Sequence, residues 1–208
     1  MKLIELYCAT ANRNKQREFE NASKGKITIC HLKECNCPET GVSFEENAIL
    51  KAICYSKTLQ PKNTLGCNAL VFADDSGLVV DALGGAPGIY SARFAGKDAT
   101  DKTNNQKLLA DLEKYPSVER SARFFCSIAL VRDKEVLGTF HGITEGRILH
   151  SPRGATGFGY DPLFYYPTLG KTFAEISGTK KWEHSHRGKA FRAMLEMLSG
   201  SKAHTSIV

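Results

Sequence analysis

KLIELYCATANRNKQREFENA, residues 2–22, decides the class of fold. Residues 2–9 are an apolar-rich run that reads as a strand, 10–14 are a polar turn, and 15–22 take up helical spacing. A second strand-like run follows at 27–32, so the chain opens as strand, turn, helix, strand, the signature of an α/β protein. Beyond a Pro/Gly loop at 38–41, Ser43 and Glu46 make an S-x-x-E helix start, and Phe44, Ala48, Ala52 and Tyr55 recur on one helical face. The apolar run 70–73 suits a buried strand that ends at Asp74 and Asp75. A second short apolar run, 78–80, precedes turns forced by Gly84, Gly85, Pro87 and Gly88. A helix is expected over about 100–114, with Leu108, Leu109 and Leu112 inward. Residues 120–132 and 136–143, joined by Asp133, Lys134 and Glu135, read as a long β-hairpin. A last helix is expected over about 185–198, where Ala190, Met194 and Leu198 repeat every four residues. The expected whole is one α/β domain with a mixed sheet, built in two lobes over 1–198, and a polar tail over 199–208.

A chain of 208 residues can bury its own core. The N-terminal apolar run is broken by Glu5 and is too short for a secretion signal, and no segment approaches the length of a membrane span. The expectation is a cytoplasmic protein without membrane partners. Seven cysteines, an odd number without regular spacing, argue against a secreted disulfide framework and for reduced thiols. Cys30, His31, Cys35 and Cys37 hint at zinc, but a C-x-C pair lacks the usual ligand spacing and no second pair matches it. The net charge of +6 attracts anions of any kind. Nucleic acid is disfavoured as the partner because the aromatics do not alternate with Lys and Arg along strands.

Several groups carry candidate chemistry, each with a plainer reading beside it. Asp74 and Asp75, at the end of a buried strand, need a cation or donors to neutralise them, or else form a solvated turn bonded to local backbone. Glu39, in its loop, is a hard oxygen donor suited to Mg²⁺. The turn Thr10, Ala11, Asn12, Arg13, Asn14, with Lys15, lies between a strand and a helix N-terminus, where phosphate binds well and where simple N-capping is equally at home. It is not a P-loop, since G-x-x-x-x-G-K-[ST] is absent. In Gly157-Phe158-Gly159-Tyr160-Asp161, aromatics alternate with glycines, as in a loop that stacks on a planar ligand or in a tight turn that buries two rings. Lys180, Lys181, His186 and Arg187 form a cationic cluster of the sort that usually faces solvent.

Taken together, residues 10–19 (TANRNKQREF), 38–52 (PETGVSFEENAILKA), 73–93 (ADDSGLVVDALGGAPGIYSAR), 120–126 (RSARFFC), 157–164 (GFGYDPLF) and 185–190 (SHRGKA) resemble the inosine triphosphate pyrophosphatase family, which removes deaminated purine nucleotides. The resemblance spans nearly the whole chain in order. It implies an elongated mixed sheet flanked by helices, an active-site cleft between two lobes, a homodimer, and Mg²⁺-dependent hydrolysis of ITP, dITP and XTP to monophosphate and pyrophosphate. It implies that Glu39 and Asp75 hold the metal with Asp74 in support, and that Asp75 is the general base. Lys15, Lys51, the 10–14 turn and Ser76 then hold the triphosphate. Phe158, Gly159, Tyr160 and Asp161 fall at the nucleoside, with Lys181, His186 and Arg187 around the base. A related pyrophosphatase acting on pyrimidine or modified nucleotides is the competing enzymatic reading. The chain departs from the family pattern at Ala11, where glycine is common, and at Trp182, Glu183 and His184, which are bulkier and more polar than expected.

Overall fold

In the computed structural model, residues 4–22, 27–33, 35–59, 69–115 and 119–200 are described. Residues 2 and 3 of the expected first strand and 201–208 of the expected tail lie outside them. Strand β1 (Ile4–Cys8) leads into helix α1 (Arg13–Ala22) and strand β2 (Ile27–His31). The helix starts earlier than its apolar spacing suggests because Asn12 caps it: its Oδ1 accepts from the backbone N–H groups of Asn14 (2.9 Å) and Lys15 (3.2 Å). Helix α2 (Phe44–Ser56) is capped by Ser43, whose Oγ accepts from Glu46 N at 3.1 Å. The Glu46 carboxylate accepts from Val42 N at 2.8 Å, one residue beyond the N-cap N–H of the usual reciprocal contact.

Strand β3 (Leu70–Val80) runs straight through the acidic pair. The sequence suggested an end at Asp74; the structure keeps both carboxylates inside the strand, because each meets a cation from a flanking helix. Helix α3 (Asp101–Glu113) starts at a capping box between Thr100 and Thr103. Strands β4 (Ser121–Arg132) and β5 (Glu135–Ile148) are neighbours joined through Asp133 and Lys134, whose φ angles of 49° and 71° give the left-handed turn a two-residue hairpin requires. Short strands β6 (Phe164–Tyr166) and β7 (Lys171–Thr172) complete a seven-stranded sheet in the order β2-β1-β3-β4-β5-β6-β7. The sheet is mixed, with β1 parallel to β2 and β3, and β6 antiparallel to β5 and β7. The expected last helix is two helices, α4 (Gly178–His184) and α5 (His186–Leu198), separated by an extended Ser185 (φ −71°, ψ 153°). Helix α4 has its own cap, Ser177 Oγ accepting from Lys180 N.

The chain forms two compact units, with boundaries falling inside β3, β4 and β5 and after α4. The first comprises Met1–Asp75, Cys126–Gly142 and Arg187–Val208. On one face of its sheet, Phe19 of α1, Phe72 of β3 and Phe191 of α5 pack ring to ring with centroids 5.0–5.5 Å apart. On the other, Ala48, Ala52 and Tyr55 of α2 bury against Val71, Ala73, Ala129 and Val131, the small alanines letting the helix approach the strands. The second unit, Ser76–Phe125 with Ile143–His186, has its own core around Leu78, Leu108, Leu112, Phe124, Phe164 and Phe173. Cys37 and Cys54 form a disulfide, with Cα atoms 5.9 Å apart, where the sequence suggested reduced thiols. The physical reason is proximity that sequence spacing conceals: the loop before α2 folds back onto that helix's last turn. Among the described residues, no helix is long and apolar enough to cross a membrane.

Candidate functional site

Strand alternation sorts the two aspartates of β3. Side chains of successive strand residues point to opposite faces, so Asp74 shares the face of Phe72 and Asp75 the face of Val71 and Ala73. The contacts follow this parity. Asp74, 2 % exposed, is held by Lys15 of α1 (2.9 Å) and by Arg187 Nε of α5 (3.2 Å). Asp75, 7 % exposed, is held by α2: Lys51 Nζ lies 2.7 Å from its Oδ1 and Asn47 Nδ2 donates to its Oδ2 at 3.4 Å. Adjacent residues thus serve different neighbourhoods, and their ionisation differs accordingly. Burial opposes the charge on Asp74, yet Lys15, Arg187 and Lys51 outweigh it and hold the carboxyl far below the usual range. For Asp75 burial wins over Lys51 and Lys15, and its pKa is raised.

Lys51 joins the Glu39 loop to this strand. Its ammonium lies 2.8 Å from Glu39 Oε1 and 2.7 Å from Asp75 Oδ1, and it also reaches the Asp74 carbonyl at 3.5 Å. The loop is fixed by Asn47, whose Oδ1 accepts from Gly41 N at 2.9 Å while its amide donates to Asp75. Burial works against the Lys51 charge, but Asp75 and then Glu39 raise its pKa overall. Two carboxylate oxygens within 2.8 Å of one cation are a hard-donor pair of the kind that suits Mg²⁺.

The turn before α1 is built by its own side chains. Thr10 Oγ1 accepts from Asn12 N at 3.2 Å, and Gln16 closes the turn by donating to the Thr10 carbonyl at 2.8 Å. Ala11, Asn12, Arg13 and Asn14 are exposed, and Lys15, half-buried, turns in to Asp74. Asn12 therefore spends its carbonyl oxygen on capping, the plainer of its two sequence readings. Arg187 is 2 % exposed, with one guanidinium edge on Glu18 of α1 and its Nε on Asp74.

In the second unit, the segment Gly157 to Asp161 is a tied-down loop. Gly157 has φ 78°, and a Cβ there would collide with the Asp161 carboxylate, so glycine is required on both counts. That carboxylate accepts from Phe158 N at 2.9 Å and pairs with the buried Lys181. From α3, Asp101 accepts from Gly159 N (2.7 Å) and Asn105 donates to the Gly159 carbonyl (2.9 Å). Phe158 is half-buried with the Lys181 ammonium 4.6 Å from its ring centre. Tyr160, at 4 % exposure, is a core residue whose hydroxyl donates to the Ser91 carbonyl; burial, then Asp101, pushes its pKa up. His186 is buried with its ring stacked on Phe124 at 4.7 Å. The cationic cluster near the C-terminus thus does not face solvent: Lys181, His186 and Arg187 are all buried, and only Lys180 is exposed. Trp182 and His184 are half-buried in α4, and Glu183 is exposed.

Of the expected residues, the first unit gathers Glu39, Lys51 and Asp75 on one face of β3, and Lys15, Asp74 and Arg187 on the other. The second unit gathers Phe158, Asp161 and Lys181. Ser76, half-buried, directly follows Asp75 in β3. Asn47, Glu18, Asp101 and Asn105 were not singled out from the sequence. Helical spacing could have found two of them: Asn47 lies four residues before Lys51, and Glu18 three after Lys15, each on the same helix face as its partner.

A model of the Ham1 family matches residues 6–197. A Yersinia pseudotuberculosis protein named dITP/XTP pyrophosphatase is 48% identical over 200 residues, spanning 93% of this chain and 98% of that protein. Among solved structures, the Staphylococcus aureus Ham1 protein superposes with a TM-score of 0.80 at 38% identity, covering 95% of this chain and 100% of that one. A Mycobacterium abscessus nucleoside-triphosphatase, also named dITP/XTP pyrophosphatase, gives 0.68 at 36% identity over 92% and 99% of the two chains. A match along almost the full length in both sequence and fold, added to the acidic strand and its cationic helices, settles the kinship: this chain belongs to the Ham1 family.

Proposed function

We propose that this protein hydrolyses deaminated purine nucleoside triphosphates, dITP, ITP and XTP, to the monophosphate and pyrophosphate, and so clears them from the nucleotide pool. The reading is carried by Lys51 bridging Glu39 and Asp75 in a chain whose relatives are named dITP/XTP pyrophosphatases. Glu39 and Asp75 would hold Mg²⁺, which in such a site neutralises phosphate charge and acidifies bound water. The sequence resemblance adds Asp74 to the metal carboxylates; its bonds to Lys15 and Arg187 favour a supporting role, fixing the cations beside the strand. Lys51 neutralises both carboxylates here and, once they are otherwise neutralised, is left to pair with a phosphate oxygen. Lys15, the Thr10–Asn14 turn, exposed from Ala11 to Asn14, and the Ser76 hydroxyl supply further phosphate contacts. Asp75, with its raised pKa, orients or deprotonates the attacking water.

Nucleoside recognition falls to the loop of the second unit. Phe158 offers a half-exposed ring for stacking, and Gly159, Tyr160 and Asp161 hold that ring in place. Lys181 and His186 are the donors nearest in role to a 6-keto oxygen, an acceptor that inosine and xanthine possess and adenine lacks. A buried donor left unpaired by a 6-amino group would reject ATP. Arg187 entered from the resemblance as a third such donor. Its bonds to Glu18 and Asp74 favour a second reading, in which it positions Asp74 rather than reading the base.

The family resemblance further supports a cytoplasmic homodimer acting as one catalytic domain over 1–198. One assay tests the core of the proposal: pyrophosphate release across ITP, dITP, XTP, ATP, GTP and pyrimidine triphosphates, with and without chelator. Expected are turnover of the 6-keto deaminated purines at least about 100-fold above ATP, loss with chelator and return with Mg²⁺. Equal turnover of ATP, or a preference for a pyrimidine, would overturn it.

A further inference from the structure

Away from the carboxylates of β3, the loop before α2 brings three sulfurs together. Cys35, Cys37 and Cys54 offer ligand atoms all within 4.8 Å of one another, and each residue is half-buried. Cys37 and Cys54 share a disulfide, while the Cys35 thiol stands 3.7 Å from Cys54 Sγ. A disulfide uses two sulfurs; the third has no part in it. Three thiolates are what a thiophilic cation requires. Around a tetrahedral Zn²⁺ with Zn–S of about 2.3 Å, sulfurs are separated by about 3.8 Å, the separation that Cys35 and Cys54 already have.

We propose that, when Cys37 and Cys54 are reduced, Cys35, Cys37 and Cys54 form a binding site for one thiophilic d¹⁰ cation, of which Zn²⁺ is the test case, with the disulfide as the competing oxidised state. The conversion balances with a dithiol reductant: the Cys37–Cys54 bond takes two electrons and two protons to give two thiols, and the dithiol closes to its own disulfide. Cation binding then releases the thiol protons. Local structure favours the charge. Cys54 lies in the last turn of α2, where the helix dipole disfavours a bare thiolate and favours a cation, and that turn carries no basic side chain. The three thiolates leave the fourth position to water or an exogenous thiol. Soft sulfur ligands also separate this site from the oxygen pair of Glu39 and Asp75, since Mg²⁺ has little affinity for thiolate.

Occupancy has a mechanical consequence. Cys37 precedes Glu39 by two residues, and Cys54 follows Lys51 by three on the same helix, so a cation on the three sulfurs clamps to α2 the loop that brings Glu39 to Lys51. The disulfide does the same, and the reduced, metal-free form leaves the loop held by its contacts to Asn47 and Lys51.

The test uses the full chain, reduced and held without oxygen, titrated with Zn²⁺ against a chromophoric competitor and, separately, with Co²⁺. Expected are one Zn²⁺ per chain and a sulfur-to-cobalt charge-transfer band, which oxygen ligands do not give. Cys35→Ser, Cys37→Ser and Cys54→Ser should each weaken binding by more than the roughly 10- to 100-fold that loss of a supporting contact costs, and Cys30→Ser should leave it unchanged. Oxidation to the Cys37–Cys54 disulfide should abolish binding. The wild-type cobalt spectrum stands whether or not any variant folds. Absence of that band, or full binding in a folded Cys35→Ser variant, overturns the site and leaves a plain disulfide. Neither outcome depends on pyrophosphatase activity.

Discussion

Replacing Arg187 by methionine separates two roles that the sequence could not. Arg187 is 2 % exposed and its guanidinium bonds two carboxylates, Glu18 on α1 and Asp74 on β3. Methionine keeps the volume and removes the charge, so that buried Asp74 loses one of its cations while Lys15 stays at 2.9 Å. Breaking one side of a buried ion pair costs about 3–5 kcal/mol. In a protein of this length each kcal/mol lowers Tm by about 2–4 °C, so Tm should fall by about 6–20 °C. The pH dependence carries a matching sign. Asp74 has a folded-state pKa depressed below its unfolded value, so its contribution to stability is present above the unfolded value and lost as pH falls through the folded one. Removing Arg187 raises the folded value, which shrinks that contribution at neutral pH and brings acid unfolding to a higher pH. Thermal melts at pH 7 and pH 5, with kcat/KM for ITP and for ATP, check both. Both substrates should slow together. A melt unchanged at both pH values, with the ITP to ATP ratio falling by tenfold or more, would refute the positioning role and return Arg187 to the base.

Asp75→Asn keeps the shape of the site and removes its base, and should lower kcat by roughly 10² to 10⁴ with the circular dichroism spectrum intact; near-normal turnover would move the role elsewhere. Lys51→Met withdraws the cation that opposes the burial of Asp75, whose pKa is already raised. The acid limb of the pH profile of kcat/KM should therefore move to higher pH, because the loss of a close opposite charge favours the neutral carboxyl. Tyr160→Phe removes the 2.9 Å hydrogen bond to the Ser91 carbonyl, which keeps the Asn104 amide at 3.4 Å. It should cost about 0.5–1.5 kcal/mol in stability, the net worth of one hydrogen bond, measured by urea denaturation, and leave the ITP to ATP ratio unchanged.

The sequence by itself determined the α/β class, because the opening strand, polar turn and helix differ in period and need no distant partner to be told apart. It also determined the cap at Ser43 and the hairpin around Asp133–Lys134, both local chemistry. It identified the acidic pair in β3 as special, since two adjacent carboxylates on an apolar run demand compensation wherever they lie. Tertiary structure alone decided how they are compensated. Strand parity gives Asp74 to α1 and α5 and Asp75 to α2, and the cations that meet them come from residues as far along the chain as Arg187. Only tertiary structure, too, turned a C-x-C pair and a distant cysteine into one cluster, because Cys54 approaches through the packing of α2 and not through spacing. It likewise buried Lys181, His186 and Arg187, which read as a solvated face: a cationic run is polar by composition, and Asp161, Glu18, Asp74 and the Phe124 ring, each brought from elsewhere in the sequence, are among the partners that compensate its interior placement.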